Sequence, residues 1–117
     1  MPVVHINEDG LDSSGSAPHL SYTCEMDTVL FAHAAWCGYC KQAMPEYLQA
    51  SIQLAGTVTF LAIEDVMLKK LPPGNPISSH ISGFPTFFHC KTGSSELKPI
   101  NLPRNKQGMV DFLGSAP

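Results

Sequence analysis

Two apolar runs do most to restrict the fold: Thr28-Val29-Leu30-Phe31-Ala32-His33-Ala34 and Val58-Thr59-Phe60-Leu61-Ala62-Ile63. Each has the length of a strand. Neither alternates apolar with polar residues, which marks strands covered on both faces. Between them, Cys40, Ala43, Met44, Tyr47, Leu48, Ile52 and Ala55 recur at helical spacing, so 38–55 is expected to be a helix with one apolar stripe. Pro45 lies inside that helix and should kink it. Gly56 is a stop signal.

The rest of the chain extends the pattern. Val3 to Ile6 suits a short first strand, and the Gly-, Ser- and Asp-rich stretch from Asp9 to Pro18 suits a loop. Leu20 to Met26 offers at most a short, poorly supported helix. Leu68 to Pro76 holds Pro72-Pro73-Gly74 and reads as turn and loop, with room for a short helix just before it. Thr86 to Cys90 is a strand, Lys91 to Ser94 a hairpin turn, and Glu96 to Ile100 a last strand that Pro99 places at a sheet edge. Asn105 to Leu113 should close the chain as a helix, with Met109, Val110, Phe112 and Leu113 facing inward. Strands alternating with helices, then a hairpin and a final helix, make a small α/β sandwich.

The 117 residues suit a single domain spanning 1–117, and 44% hydrophobic against 15% charged residues is enough to build one core. A net charge of −3 weighs against nucleic acid or an anionic membrane as partner. No run approaches the roughly 18 apolar residues of a membrane span. The opening residues carry neither a basic nor an apolar leader region, so a reducing, cytoplasmic setting is expected, or a periplasmic or luminal one if a leader has been removed.

There are four cysteines: Cys24, Cys37, Cys40 and Cys90. In a reducing compartment a C-x-x-C pair is more often catalytic or metal-binding than a structural staple. Cys37 and Cys40 open the helix, so their sulfurs can approach across one turn. The unpaired N–H groups there, and the positive end of the helix dipole, stabilise a Cys37 thiolate. Only a thiolate attacks a disulfide at a useful rate. Cys37 is therefore the expected nucleophile and Cys40 the resolving thiol. Half a zinc site is the alternative. Zinc would need Cys24 and Cys90 as well, or two of His5, His19, His33, His80 and His89, because no second C-x-x-C follows. No metal or other cofactor is expected. Cys24 and Cys90 read as buried, inert thiols, with a regulatory bridge using one of them as the alternative.

Four features together resemble the thioredoxin superfamily. They are Trp36-Cys37-Gly38-Tyr39-Cys40-Lys41 at a strand-to-helix junction, Pro45 five residues past the second cysteine, Gly83-Phe84-Pro85-Thr86, and the hairpin turn at Lys91-Thr92-Gly93 followed by a terminal helix. The resemblance spans about Val3 to Leu113. It implies a thioredoxin-like fold, a central mixed sheet of four to five strands flanked by helices, in the order β-α-β-α-β-α-β-β-α. It implies a cis Phe84–Pro85 bond beside the cysteines. It also implies that Trp36, Phe84, Pro85 and Thr86 meet substrate, which pairs with the backbone before the proline in β fashion. Gly38, Tyr39 and Lys41 would tune the active site.

The implied activity is thiol–disulfide exchange on disulfide-bearing protein substrates, reducing or isomerising them, with a separate reductase or glutathione as electron donor. The chain would act as a monomer. A low-turnover redox sensor or redox-dependent binding module is the competing reading. Two departures favour it. Thioredoxins bury an acid at the position of Phe31 and a companion lysine at the position matched here by Phe60, so a charge pair becomes an aromatic pair and Cys40 loses a base. His33 could serve as that base or, as a cation, stabilise the Cys37 thiolate, or be a half-buried bystander. Glu64 is a weaker substitute. Leu102 stands where a groove glycine is frequent and should narrow the groove.

Overall fold

The computed structural model describes residues 2–114. Its elements are β1 (Val3–Ile6), β2 (Leu11–Asp12), β3 (His19–Leu20), β4 (Thr28–His33), α1 (Gly38–Gln53), β5 (Thr59–Glu64), α2 (Asp65–Leu68), β6 (Thr86–Cys90), β7 (Lys98–Ile100) and α3 (Lys106–Gly114). Five strands form one mixed sheet in the order β1-β5-β4-β6-β7, parallel through the first three and antiparallel beyond. Strand β4, in the middle, has no residue facing water before His33. Successive side chains of a strand point to opposite faces. Val29 and Phe31 enter one core, with Phe60, Ala62 and Phe87, beneath Ala43, Tyr47 and Ala50 of α1 and Met109 and Leu113 of α3. Leu30 and Ala32 enter the other, with Leu61, Ile63 and Phe88, covered by Leu11, Leu20, Leu68, Ile77 and Leu97. Two cores explain why the apolar runs do not alternate.

Several expectations are corrected. No helix forms over 20–26. The segment from Pro18 to Cys24 instead holds the short β3, bends at Ser21–Tyr22, and is hydrogen-bonded to 93–97: Leu20 N–H donates to Ser95 O, Cys24 N–H to Ser94 O, Gly93 N–H to Cys24 O and Leu97 N–H to Pro18 O. With the two-stranded ribbon β2–β3, it replaces the helix that the family order places between the first two sheet strands. Helix α1 contains Pro45 and ends at Gln53, two residues before the expected end. Its buried row is Cys40, Ala43, Tyr47 and Ala50, so Leu48 and Ile52, four and eight residues past half-buried Met44, turn outward. Phe112 likewise lies on the flank of α3, exposed, while Met109 and Leu113 face in. The last strand is shorter than expected, but Pro99 does stand on the edge strand, opposite Phe88. Gly56 turns the chain after α1 with φ +83°, a left-handed conformation that glycine adopts without steric strain.

Candidate active site

Strand β4 delivers the chain to a tight turn, in which Cys37 N–H donates to Ala34 O at 3.1 Å. Cys37 is then the N-cap of α1, and its sulfur accepts the Cys40 N–H at 3.2 Å. One otherwise unpaired amide of the helix start thus points at the sulfur, the arrangement by which helix N-termini hold negative charge. Both cysteines are nearly buried, at 5% and 3% exposure. Burial pushes the Cys40 thiol up to about 12, reinforced by its side-chain hydrogen bond with Cys37. The backbone of Ala34 and the Arg104 cation act in the opposite direction. The pair is therefore asymmetric, with one sulfur on an amide at the helix mouth and its neighbour held as a thiol.

The Phe84–Pro85 bond is cis, and Phe84 O lies 3.4 Å from the Cys37 sulfur. Trp36 is 70% exposed, yet it is held in place. Its Nε1–H donates to Asp65 Oδ2 at 3.1 Å and its ring meets Phe84 edge-on at 5.8 Å. Thr86 opens β6, its hydroxyl donating to Gly83 O. Tyr39 is 64% exposed with the Arg104 guanidinium 5.3 Å above its ring. Gly38 and Lys41 are exposed; the Lys41 N–H donates to Cys37 O. Beside this cluster runs a groove lined by Pro85, Thr86, Ile100, Asn101, Leu102 and Arg104. Leu102 is only 5% exposed and packs into the same core cluster as Cys37 and Cys40, so its bulk goes mainly inward rather than into the groove.

The expected aromatic pair is not a direct one. In the sheet register Phe31 stands beside Ala62, and Phe60 beside Val29. Tyr47 of α1 links them, its ring 5.0 Å from each. Sequence reasoning missed two groups here. Asp65 anchors Trp36, and Arg104 reaches both Tyr39 and the field at Cys40. Arg104 does follow the Asn101-Leu102-Pro103 stretch singled out for the groove, but nothing local in the sequence tells which way its side chain turns.

His33 is not among the groups that act on the Cys40 thiol. It packs instead against Phe31 at 5.4 Å and His5 at 6.1 Å, and its Nε2 is buried without a partner. Burial lowers its pKa below the usual 6.5, partly offset by Glu64. The unfolded chain therefore binds the His33 proton more tightly than the folded one. Its contribution to stability is intact above about pH 6.5 and is lost as the pH falls below that value. His33→Phe is expected to flatten this acid slope while leaving stability at pH 8 nearly unchanged. Urea midpoints at pH 8 and pH 5 check it, and an unaltered slope would remove His33 as the cause.

The thioredoxin family model matches residues 22–115. Among curated relatives, protein disulfide-isomerase A5 of Mus musculus is 34% identical over 112 residues, covering 87% of this chain and 21% of that protein. Protein disulfide isomerase-like 1-1 of Arabidopsis thaliana is 31% identical over 87 residues, covering 69% of this chain and 16% of its own length. The chain thus spans about a fifth or less of these relatives. Among solved structures, the Trx4 domain of ERdj5 superposes with a TM-score of 0.70 at 14% identity, covering 97% of this chain and 94% of that one. The first thioredoxin domain of mouse protein disulfide-isomerase A4 gives 0.57 at 24% identity, covering 75% and 61%. Sheet order, the cis Phe84–Pro85 bond at the cysteines and a family match over most of the length agree, and the chain belongs to the thioredoxin family.

Proposed function

We propose that this chain is a thiol–disulfide oxidoreductase acting on disulfide-bearing proteins through Cys37 and Cys40. The observation that carries the reading is the asymmetry of the pair: the Cys37 sulfur takes an amide hydrogen bond at the helix mouth while burial holds Cys40 protonated. The Cys37 thiolate attacks one sulfur of the substrate disulfide, the substrate S–S bond breaks, and a mixed disulfide forms. The extended substrate segment lies along the groove by Pro85 and Thr86, with Trp36 and Phe84 as the apolar side. Cys40 then loses its proton, attacks the Cys37 sulfur and releases the reduced substrate, leaving a Cys37–Cys40 disulfide. A separate reductase or a small thiol such as glutathione must return the pair to the dithiol. The names of the relatives, protein disulfide isomerases, support the same chemistry.

The test is turnover. With excess dithiothreitol as electron source, insulin reduction should proceed through many cycles per molecule. About one equivalent reduced, then arrest, would favour the redox-dependent binding module, which the strongly raised Cys40 thiol makes the second reading.

Arg104 gives a graded check. Its cation favours the Cys40 thiolate, so Arg104→Ala should slow release of the mixed disulfide. Arg104→Lys should retain most of the rate. Release should speed up with rising pH in both proteins, because the thiol titrates from above. Equal single-turnover release rates in Arg104→Ala and the parent at pH 7 would rule this role out.

A further inference from the structure

The other two cysteines meet at the opposite end of the sheet. Cys90 closes β6 and pairs in register with Thr28, the first residue of β4, whereas the active-site turn follows His33 at the other end of that strand. The length of β4 sets the two places about 17 Å apart, at roughly 3.3 Å per residue. Cys24 lies 66 positions before Cys90, yet their sulfurs are 2.8 Å apart, both residues being 1% exposed or less. The backbone holds them there: Cys24 N–H donates to Ser94 O and Gly93 N–H to Cys24 O, each at 2.8 Å. A bonded pair of sulfurs needs about 2.05 Å, a movement of less than an ångström.

We propose that Cys24 and Cys90 are a second redox pair, which a small-molecule disulfide closes into a bridge that locks the 18–24 segment onto the hairpin after β6. The inference does not depend on the function proposed for Cys37 and Cys40. Cys24, 1% exposed, sits in the wall of a surface hollow with Tyr22, Met26, Thr28 and Thr59, so the reagent reaches it, when that wall opens, before Cys90. The Cys24 thiolate attacks one sulfur of the small disulfide, whose S–S bond breaks, and the first small thiol leaves with a proton. Cys90 then gives up its proton and attacks the Cys24 sulfur, expelling the second small thiol. Two protein thiols lose two electrons and two protons in all, and one small disulfide becomes two thiols.

The environment fits this step and sets its pace. Burial, the Cys24 side chain and the charges of Asp27 and Glu96 hold Cys90 protonated, so closure is slow in the folded protein. In the dithiol the Cys90 sulfur donates to Ser94 O at 3.3 Å. After closure that carbonyl still accepts the Cys24 N–H, so no buried acceptor is orphaned.

The experiment uses cystamine on the full chain carrying Cys37→Ser and Cys40→Ser, followed by unfolding, alkylation and mass analysis. Both remaining thiols should disappear, and a digest should yield a Cys24–Cys90 linked peptide. The thermal midpoint should rise by roughly 10 °C, as expected for a bridge closing a long loop, and return on phosphine reduction. Adding Cys90→Ser should stop the reaction at one cysteamine on Cys24. If the double variant does not fold, the linked peptide is sought in the parent protein. Two alkylatable thiols after exhaustive cystamine, or a cysteamine on each sulfur, would overturn the proposal. So would identical midpoints for the oxidised and reduced forms.

Discussion

Cys37→Ser is expected to reduce disulfide exchange to the uncatalysed background, and Cys40→Ser to accumulate a covalent complex with substrate. A serine hydroxyl at position 37 would still accept the Cys40 amide, so the fold should survive, but it cannot attack sulfur at neutral pH. With Cys40 removed the first attack proceeds and the second has no nucleophile. The complex should appear on non-reducing gels and vanish with dithiothreitol. Cycling of Cys40→Ser at near the parent rate, with no trapped species, would exchange the two roles.

The largest effect on stability is expected at Tyr47. Its ring is fully buried between Phe31 and Phe60, and its hydroxyl lies 2.6 Å from Leu61 O and 3.1 Å from Val29 O, on neighbouring strands. Tyr47→Ala should lower unfolding free energy by about 3–5 kcal/mol through lost packing and the cavity left behind. Tyr47→Phe keeps the ring and should cost about 1–2 kcal/mol, mainly the lost hydrogen bond. Urea unfolding monitored by circular dichroism gives both numbers. A loss below about 1 kcal/mol for Tyr47→Ala would show that this aromatic cluster does not hold helix to sheet. The same cluster holds Phe31 and Phe60, the two positions that the resemblance matched to a buried charge pair. The groups that favour the Cys40 thiolate are therefore the Ala34 backbone and the Arg104 cation.

What could be read in the residues follows from how local the determining contacts are. The two apolar runs, the helix after Cys37 and the hairpin at Lys91-Thr92-Gly93 each declare themselves within a few residues, and they carry most of the architecture. The placement of Phe84 and Pro85 against Cys37 came from resemblance, and the structure agrees. The stretch from Pro18 to Cys24 was not legible, because its amide partners lie at 93–97 and no local pattern names them. Arg104 and Asp65 were missed for the same reason: each acts on a residue far away in the chain. His33 left three readings open in the sequence, a base, a cation beside Cys37 or a half-buried bystander; it packs beside Phe31 and His5, contacts the sequence does not name. Cys24 and Cys90 looked like unrelated singles because their meeting depends on an unpredicted hydrogen-bonded segment.

That segment has a consequence for anyone trimming the chain. The family match begins at residue 22, yet Val3, Leu11 and Leu20 lie before it and are buried against the sheet. A fragment cut at that boundary would lose an edge strand and part of the cover over Leu30, Ile63 and Phe88, that of Leu11 and Leu20. It would present a greasy flank and an open β rim to its neighbours, a recipe for clumping.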